Sequence, residues 1–205
     1  MSSDWLPLFP LEIVLLPGAS MPLHIFEPRY RLMTRLCREQ QREFGIILAR
    51  GEGVARVGCT AEIVQLVKEY PDGRSDILTV GRRRFRLNAV SDELEYLQGE
   101  VEFLADEDAA PDSITKGKLL IAYAEVHRLV HGRDADATPE AGEGPLSYRL
   151  AAELPFELEF KQELLETDSE AERQRVLLER LEAWAAQLRQ LQRSRRKASG
   201  NGHGR

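Results

Sequence analysis

Prolines alternate with short apolar runs in Leu6-Pro-Leu-Phe-Pro-Leu11 and in Pro17-Gly-Ala-Ser-Met-Pro-Leu-His-Ile-Phe-Glu-Pro-Arg-Tyr-Arg31. Each proline fixes its own φ angle and pushes the residue before it toward extended backbone. The apolar residues between the prolines are therefore poorly placed to form helical turns. The two runs predict short strands joined by sharp corners.

The same stretch ends with a helix start signal at Glu27-Pro28. Proline at the first helical position loses no donor that the helix needs, and a carboxylate beside it meets the positive end of the helix dipole. We predict a helix over residues 28–40. Apolar side chains recur four residues apart along it, as at Leu32 and Leu36, which is typical of an amphipathic helix packed on a sheet.

The hydrophobic pattern changes once, near residue 105. Before that point, β-branched and aromatic residues predict strands over 44–49, 61–70, 77–90 and 96–103. Pro71-Asp72-Gly73 is a turn signal between two of these runs and predicts a hairpin. After that point, helical spacing predicts helices over 113–130, 146–153, 157–166 and 169–193.

Strands before the change and helices after it indicate segregated layers, and so an α+β architecture. Residues 1–105 are predicted to form the strand-rich region, 106–112 an acidic linker, 113–193 the helical region and 194–205 a disordered basic tail. A loop over 132–145, dense in Gly, Pro and acidic residues, is predicted to be mobile.

The last predicted helix carries apolar residues at heptad spacing from Leu177 to Leu191, with Trp184 among them. The pattern covers too few heptads to indicate a coiled coil. A helix that packs on its own domain is the preferred interpretation, and a dimer seam is the alternative.

Several further motifs carry a family resemblance at the family's order and spacing. The chain resembles the Lon N-terminal substrate-binding domain in the opening stretch and in Phe44-Gly-Ile-Ile-Leu48, Val57-Gly-Cys-Thr-Ala-Glu-Ile63, Pro71-Asp-Gly-Arg74 and Gly81-Arg-Arg-Arg-Phe-Arg86. The resemblance implies a stand-alone Lon N-domain, with a PUA-like β-barrel over 1–105 followed by a C-terminal α-helical bundle. It ends where a full Lon protease would begin its ATPase and peptidase domains.

Composition excludes several classes of protein. The net charge is −6, and the basic residues after Gln192 have no acid among them, so the rest of the chain is more acidic still. That balance argues against a general nucleic-acid binder.

No run reaches the roughly 18 apolar residues of a membrane span, and the N-terminus lacks the basic region of a signal peptide. Two unpaired cysteines, Cys37 and Cys59, fit buried thiols in a reducing cytoplasm.

Catalytic and metal-binding motifs are absent from the sequence. There is no Gly-x4-Gly-Lys-Ser/Thr phosphate loop and no Gly-x-Ser-x-Gly elbow, so we expect neither catalytic residues nor a cofactor.

His127 and His131 lie four residues apart on a predicted helix, but no third metal ligand is evident. We expect them to face solvent or to cap the helix end. His24 is interpreted as a hydrogen-bonded structural residue.

The arginine run from Arg82 to Arg86 is the feature that most favours nucleic acid, because arginines beside an aromatic suit phosphate and base contacts. In a strand, however, at least one of these arginines is drawn toward a buried side and needs a carboxylate. We expect Arg84 to pair with Glu27 or Glu62. The alternative is a PUA-like RNA-binding protein.

The resemblance implies recognition of unfolded or exposed polypeptide segments without chemistry, with a separate protease as a candidate partner. The short apolar runs argue against a membrane as a partner, and the charge balance argues against nucleic acid. A loop carried on a rigid barrel is a common place for recognition. The predicted contact residues flank the proline-rich loop: Leu16, Met21, Leu23 and Ile25. The residues of the motif predicted to be structural are Glu27, Pro28, Arg29, Tyr30, Arg84 and Phe85.

The missing motifs predict that the purified chain neither hydrolyses ATP nor cleaves casein, because it lacks a backbone cradle for phosphates and the setting of a Ser-Lys nucleophile. The measurement is magnesium-dependent phosphate release and casein cleavage, compared with a mock preparation. Phosphate release above the mock level would overturn the prediction.

Overall fold

Strands occupy the first half of the chain and helices most of the second in the computed structural model, which describes residues 5–51, 53–106, 112–134 and 144–200. The strands are β1 Trp5–Leu11, β2 Ser20–Ile25, β3 Phe44–Arg50, β4 Gly53–Val54, β5 Val57–Glu69, β6 Ser75–Ser91 and β7 Gln98–Leu104. The helices are α1 Pro28–Glu39, α2 Ser113–His131, α3 Leu146–Ala152, α4 Leu158–Glu166 and α5 Glu170–Gly200. The predicted α+β order is present, with α1 inserted between β2 and β3.

Strand pairing closes a ring in the N-terminal region. β1 pairs antiparallel with β7 and parallel with β3, and antiparallel pairs join β7 to β6, β6 to β5 and β5 to β3. Close packing fills the interior, since a Cβ added at Gly45 would lie 2.8 Å from both Phe85 Cζ and Leu6 Cδ2. Phe85 is fully buried. The five strands of the ring therefore enclose a packed core.

Three strand segments extend beyond the ring as an arm, which consists of β2, residues 62–69 of β5 and residues 75–80 of β6. The turn at its tip closes through hydrogen bonds from Tyr70 N–H to Arg74 O and from Gly73 N–H to Tyr70 O. Gly73 has a φ of 83°, a conformation that glycine adopts without strain. The hairpin predicted from Pro71-Asp72-Gly73 is confirmed.

Helix α1 begins at Pro28, as predicted, and ends at Glu39. Its Tyr30 ring lies 4.0 Å from the Phe9 ring, centroid to centroid, and Met33 and Cys37 are buried against the sheet. Glu27 is extended and its side chain makes no cap hydrogen bond; it pairs instead with exposed Arg29. The helix is therefore held by its apolar face.

The C-terminal helices pack around α5, which contacts α2, α3 and α4. Leu177 and Leu181 are buried, and the Trp184 ring lies 5.2 Å from the Phe156 ring. Leu191 is exposed. The first part of the heptad pattern thus packs on its own domain, as preferred from the sequence.

Helix α5 continues to Gly200, seven residues past the predicted boundary at residue 193. Residues 194–200, which were predicted to begin a disordered tail, thus continue the helix. Residues 201–205 lie outside the described part of the chain. So do residues 107–111 of the predicted linker and 135–143 of the predicted loop, leaving those predictions untested.

A buried ion-pair network joins the strand region to the helices. Arg84 on β6 and Arg173 on α5 have side chains that are 2 % and 0 % exposed, and both pair with Asp106, which follows β7. Arg84 also pairs with Asp168 at 3.0 Å, and Arg173 with Glu170 at 3.1 Å. The Arg84 guanidinium further donates to the carbonyls of Ala105, Leu165 and Thr167.

The predicted partners of Arg84 are therefore wrong. Glu27 lies at the start of α1 and pairs with Arg29, while Glu62 pairs with Arg82 at 2.6 Å. Arg84 instead lies on the strand face that the α4–α5 turn covers, where Asp168 is within reach. The expectation that one arginine of the run is buried with carboxylate partners is confirmed.

Replacing Arg84 tests how much this network contributes to the free energy of unfolding. Arg84→Ala removes a buried charge from between two carboxylates and takes a donor from the carbonyls of Ala105 and Leu165, while Thr167 O keeps its hydrogen bond from Arg173. We therefore expect the unfolding free energy to fall by about 3 to 5 kcal/mol. Arg86→Ala, at an exposed arginine on the same strand, should change it by less than about 0.5 kcal/mol, and Glu27→Ala by less than about 1 kcal/mol. Urea unfolding measures all three. Equal stabilities for Arg84→Ala and wild type would contradict the role.

Candidate functional site

A cleft opens where the strand region meets α3. It has a volume of about 430 Å³ and is lined mostly by apolar side chains. We call it the junction cleft. Its apolar wall is formed by Pro17, Phe103, Leu104, Pro145 and Tyr148, and its polar part by the run Arg82–Arg84 with Asp106.

The end of β7 and the start of α3 set most of the apolar wall. Leu104 closes β7 and pairs in register with Arg84, and Phe103 pairs with Phe85. Tyr148 lies on the first turn of α3, is 1 % exposed and donates its hydroxyl to Leu164 O. Burial raises the pKa of the Tyr148 hydroxyl above its usual range. The phenol therefore stays neutral at physiological pH.

The proline-rich loop forms the remaining side of the cleft at Pro17. Hydrogen bonds from Gly18 N–H to Gly81 O and from Gly81 N–H to Ala19 O fasten this loop to β6. A Cβ at Gly81 would collide with the carbonyl of Leu16, so the loop lies directly on the strand. Pro17 is therefore held in place by β6.

The arginines beside the cleft are neutralised. Arg82 pairs with Glu62 at 2.6 Å, and Arg86 pairs with Glu102 at 3.5 Å. Arg83 pairs with Glu43 at 3.1 Å, and its guanidinium carbon lies 3.9 Å from the centroid of the Phe103 ring. With Arg84 in the buried network, each arginine of the run has a carboxylate partner. That arrangement does not favour the RNA-binding alternative, which needs cations free for phosphate.

Two of the four predicted contact residues are part of the core. Leu16 and Ile25 are each 1 % exposed, and neither lines the junction cleft. Met21 and Leu23 are partly exposed on β2, where they pair with Thr79 and Ile77 of β6. They remain candidate contacts, on the arm.

The sequence pointed to the arginine run of the cleft but not to most of its apolar wall. Phe103, Leu104, Pro145 and Tyr148 come from two segments more than 40 residues apart, and no local pattern connects them. Pro17 is the exception, because it directly follows Leu16 in the loop that was singled out.

The histidines occupy structural positions. His24 Nδ1 lies 2.6 Å from Asp76 Oδ1, which confirms its hydrogen-bonded role. His127 is buried, contacts the Tyr123 ring and lies 3.3 Å from Arg133 O just past the end of α2, so of its two expected positions it does not face solvent but lies beside the helix end. His127 lies on the apolar face of α2, which is the buried face of that helix. His131, in the last turn of α2, is exposed, as expected. Within the described residues, no three His, Cys, Asp or Glu side chains come together as a metal site.

Both cysteines are buried and free. Burial raises the pKa of the Cys37 thiol from 9.0 to about 11 and that of the Cys59 thiol further. The nucleophilic form of a thiol is the thiolate. Neither cysteine is therefore a nucleophile near neutral pH.

Comparison with known proteins identifies the family. The family model of the ATP-dependent protease La (LON) substrate-binding domain matches residues 5–183. Lon protease of Cytophaga hutchinsonii is 25 % identical over 193 residues, and Lon protease 1 of Syntrophobacter fumaroxidans is 29 % identical over 185 residues. These matches cover 85 % and 82 % of this chain but 23 % and 22 % of those proteases. The chain thus spans less than a quarter of the length of these relatives.

Solved structures agree in fold. The crystal structure of a Lon N-terminal domain protein from Xanthomonas campestris superposes with a TM-score of 0.66, at 30 % identity, over 88 % of this chain and 98 % of that one. The N-terminal domain of a Mycobacterium avium complex Lon protease gives the same TM-score at 19 % identity, over 89 % and 98 %. The chain belongs to the LON substrate-binding domain family.

Among the residues described, no helix is long and apolar enough to cross a bilayer.

The raised thiol pKa values predict slow labelling of the folded protein. At pH 8 a thiol with a pKa of about 11 is ionised in about one molecule in a thousand, and the ionised fraction rises about tenfold per pH unit up to that pKa. Reaction with a chromogenic disulfide should therefore be slow at pH 8 and faster at pH 9. In guanidinium chloride both thiols should react rapidly. Equally fast labelling with and without denaturant would contradict the prediction.

Proposed function

We propose that this member of the LON substrate-binding domain family binds exposed segments of unfolded polypeptides without catalysing a reaction, and that the junction cleft holds them. The observation that carries the proposal is an apolar cleft whose neighbouring arginines are already paired. A volume of about 430 Å³ lies within the roughly 300 to 1,000 Å³ typical of ligand pockets. Such a site favours apolar side chains over anions.

We expect the peptide to be recognised through its side chains, and not through pairing of its backbone with a strand edge. A peptide can join a sheet as an extra strand when an edge offers free N–H and C=O groups. The β2 edge of the arm carries Pro22, which lacks an N–H, and β5 has register shifts between Ile63 and Gln65 and between Leu66 and Lys68. Proline and bulges both discourage strand addition. Binding in the junction cleft needs no free strand edge, so neither feature hinders it.

The arm is a second candidate surface for the same function. Met21 and Leu23 lie in register with buried Thr79 and Ile77, whose other neighbours on β5 are Ile63 and Leu66. All four outer side chains are partly buried against the core. They offer apolar surface next to the sheet, but no cavity enclosed by two elements.

The wider setting follows from the relatives. They carry the matched region within proteases several times longer, so we propose protein quality control as the process and a separate protease as the partner. The closed strand ring supports a PUA-like barrel, and the packing around α5 a helical bundle. The free buried thiols support the cytoplasm as the compartment.

Fluorescence anisotropy with a labelled unfolded peptide tests the function and separates the two surfaces. We expect weak, reversible binding, roughly micromolar or looser, because the cleft is small. Leu104→Asp should weaken binding about tenfold or more by placing a charge in the apolar wall. Leu23→Asp on the arm and Val90→Asp, at an exposed valine apart from both surfaces, should leave it within about twofold, and circular dichroism should confirm that each variant folds.

Two results would count against the proposal. Weakening by Leu23→Asp alone would move the site to the arm. Tight binding of single-stranded RNA, with an affinity that falls log-linearly with salt, and no saturable signal from the peptide would replace the function with the RNA-binding alternative.

A further inference from the structure

Three arginines of α1 face a second cavity, between that helix and the tip of the arm. Arg31, Arg35 and Arg38 line it together with Gly73, Glu69 and Glu95, and its volume is about 390 Å³. We call it the arginine groove. It shares no lining residue with the junction cleft.

Helix geometry places the three arginines in one row. Residues four and seven apart lie within about 40° of each other around a helix with 3.6 residues per turn. Within the described part of the chain, none of the three forms an ion pair, whereas neighbouring Arg29 pairs with Glu27 at 2.7 Å. The three arginines thus carry positive charge without a salt bridge, although the Asp72 carboxylate at the arm tip is close enough to Arg31 to interact with it electrostatically. The net charge of the chain is −6.

The turn at the arm tip positions the first arginine of the row. Gly73 adopts a φ of 83°, and a Cβ added there would collide with the Arg31 guanidinium. The guanidinium therefore lies directly against the turn. Arg31 is partly buried, while Arg35 and Arg38 are exposed to solvent at the groove. The row has one fixed end and two accessible cations.

We infer that the arginine groove is a docking site for a carboxylate-rich polypeptide segment. Along the helix, Arg31 and Arg35 are about 6 Å apart, at about 1.5 Å per residue. In an extended peptide, alternate residues are about 6.6 Å apart, so two acidic residues separated by one other residue match this spacing. Arginine also suits carboxylates geometrically, because its planar fork binds both oxygens.

Two observations favour this occupant over nucleic acid. Glu69 and Glu95 line the same groove and would repel an unbroken run of phosphates. The surrounding surface belongs to a chain with an excess of acidic residues, which lowers the affinity for a polyanion. A polypeptide can place carboxylates opposite the arginines and neutral residues opposite the two glutamates.

The inference goes beyond the proposed function, and its test is independent of the cleft. The probe is a labelled, unstructured peptide of Gly and Ser that contains repeated Glu-x-Glu and no apolar residue. Its control replaces every Glu with Gln. On the full chain, we expect the acidic peptide to bind at low salt and the amide peptide to bind at least tenfold more weakly.

Matched variants locate the binding. Arg35→Gln with Arg38→Gln should weaken binding of the acidic peptide about five- to tenfold, since exposed charge pairs each contribute modestly. Arg128→Gln with Arg193→Gln removes the same charge from exposed positions on α2 and α5, outside the groove, and should change binding by less than twofold. Both double variants change solvent-exposed side chains, and circular dichroism checks that they fold.

Each alternative outcome overturns the inference. Equal losses in the two double variants would mean that net charge, and not the groove, attracts the peptide. Equal binding of the acidic and amide peptides would remove the role of carboxylates, and tighter binding of single-stranded RNA than of the acidic peptide would assign the groove to nucleic acid. These results leave the cleft unaffected, because the apolar peptide of the cleft experiment tests that site by itself.

Discussion

The buried guanidinium of Arg84 is the constraint on which the rest of the structure depends. A charge with 2 % exposure is expensive to remove from water, so it must be fully hydrogen-bonded and paired. Two carboxylates and three carbonyls meet that requirement, and they come from the end of β7 and from the α4–α5 turn. Burial of Arg84 therefore occurs together with docking of the α4–α5 turn on β6. One side chain thus couples the packing of the helical region to that of the strand region.

Asp106 extends that constraint to the junction cleft. It pairs with both Arg84 and Arg173, and Arg173 also lies 4.4 Å from the centroid of the Tyr148 ring. The same network that fastens the helices therefore sets the distance between the end of β7 and α3, whose side chains form the apolar wall. The arginines beside the cleft are already paired, so a ligand of the proposed site would be selected by shape and apolar contact.

What could be predicted from the sequence was local. The Glu27-Pro28 helix start and the turn at Pro71–Gly73 depend on residues close together in the chain, and both are present. The partner of Arg84 depends on which element covers its strand face, and the covering turn lies more than 80 residues away. The exposure of Leu16 and Ile25 likewise depends on packing that a proline pattern does not encode. The cleft itself is made by residues from separate elements, so the sequence pointed only to its arginine run, Arg82–Arg84, and to Pro17, which lies beside a predicted residue.

The two proposed sites would recognise different chemistry. The arginines around the junction cleft have carboxylate partners, whereas those of the arginine groove have no ion pair in the described part of the chain, although both sets belong to the same acidic protein. Unpaired cations in an acidic surrounding attract short acidic segments at close range, while the net charge holds extended polyanions away. An apolar segment gains nothing from the groove, and an acidic segment would meet no free cation in the cleft. A polypeptide that carried both kinds of segment could engage both sites, and because the second contact would then be intramolecular, two weak sites would give a tighter complex than either one alone.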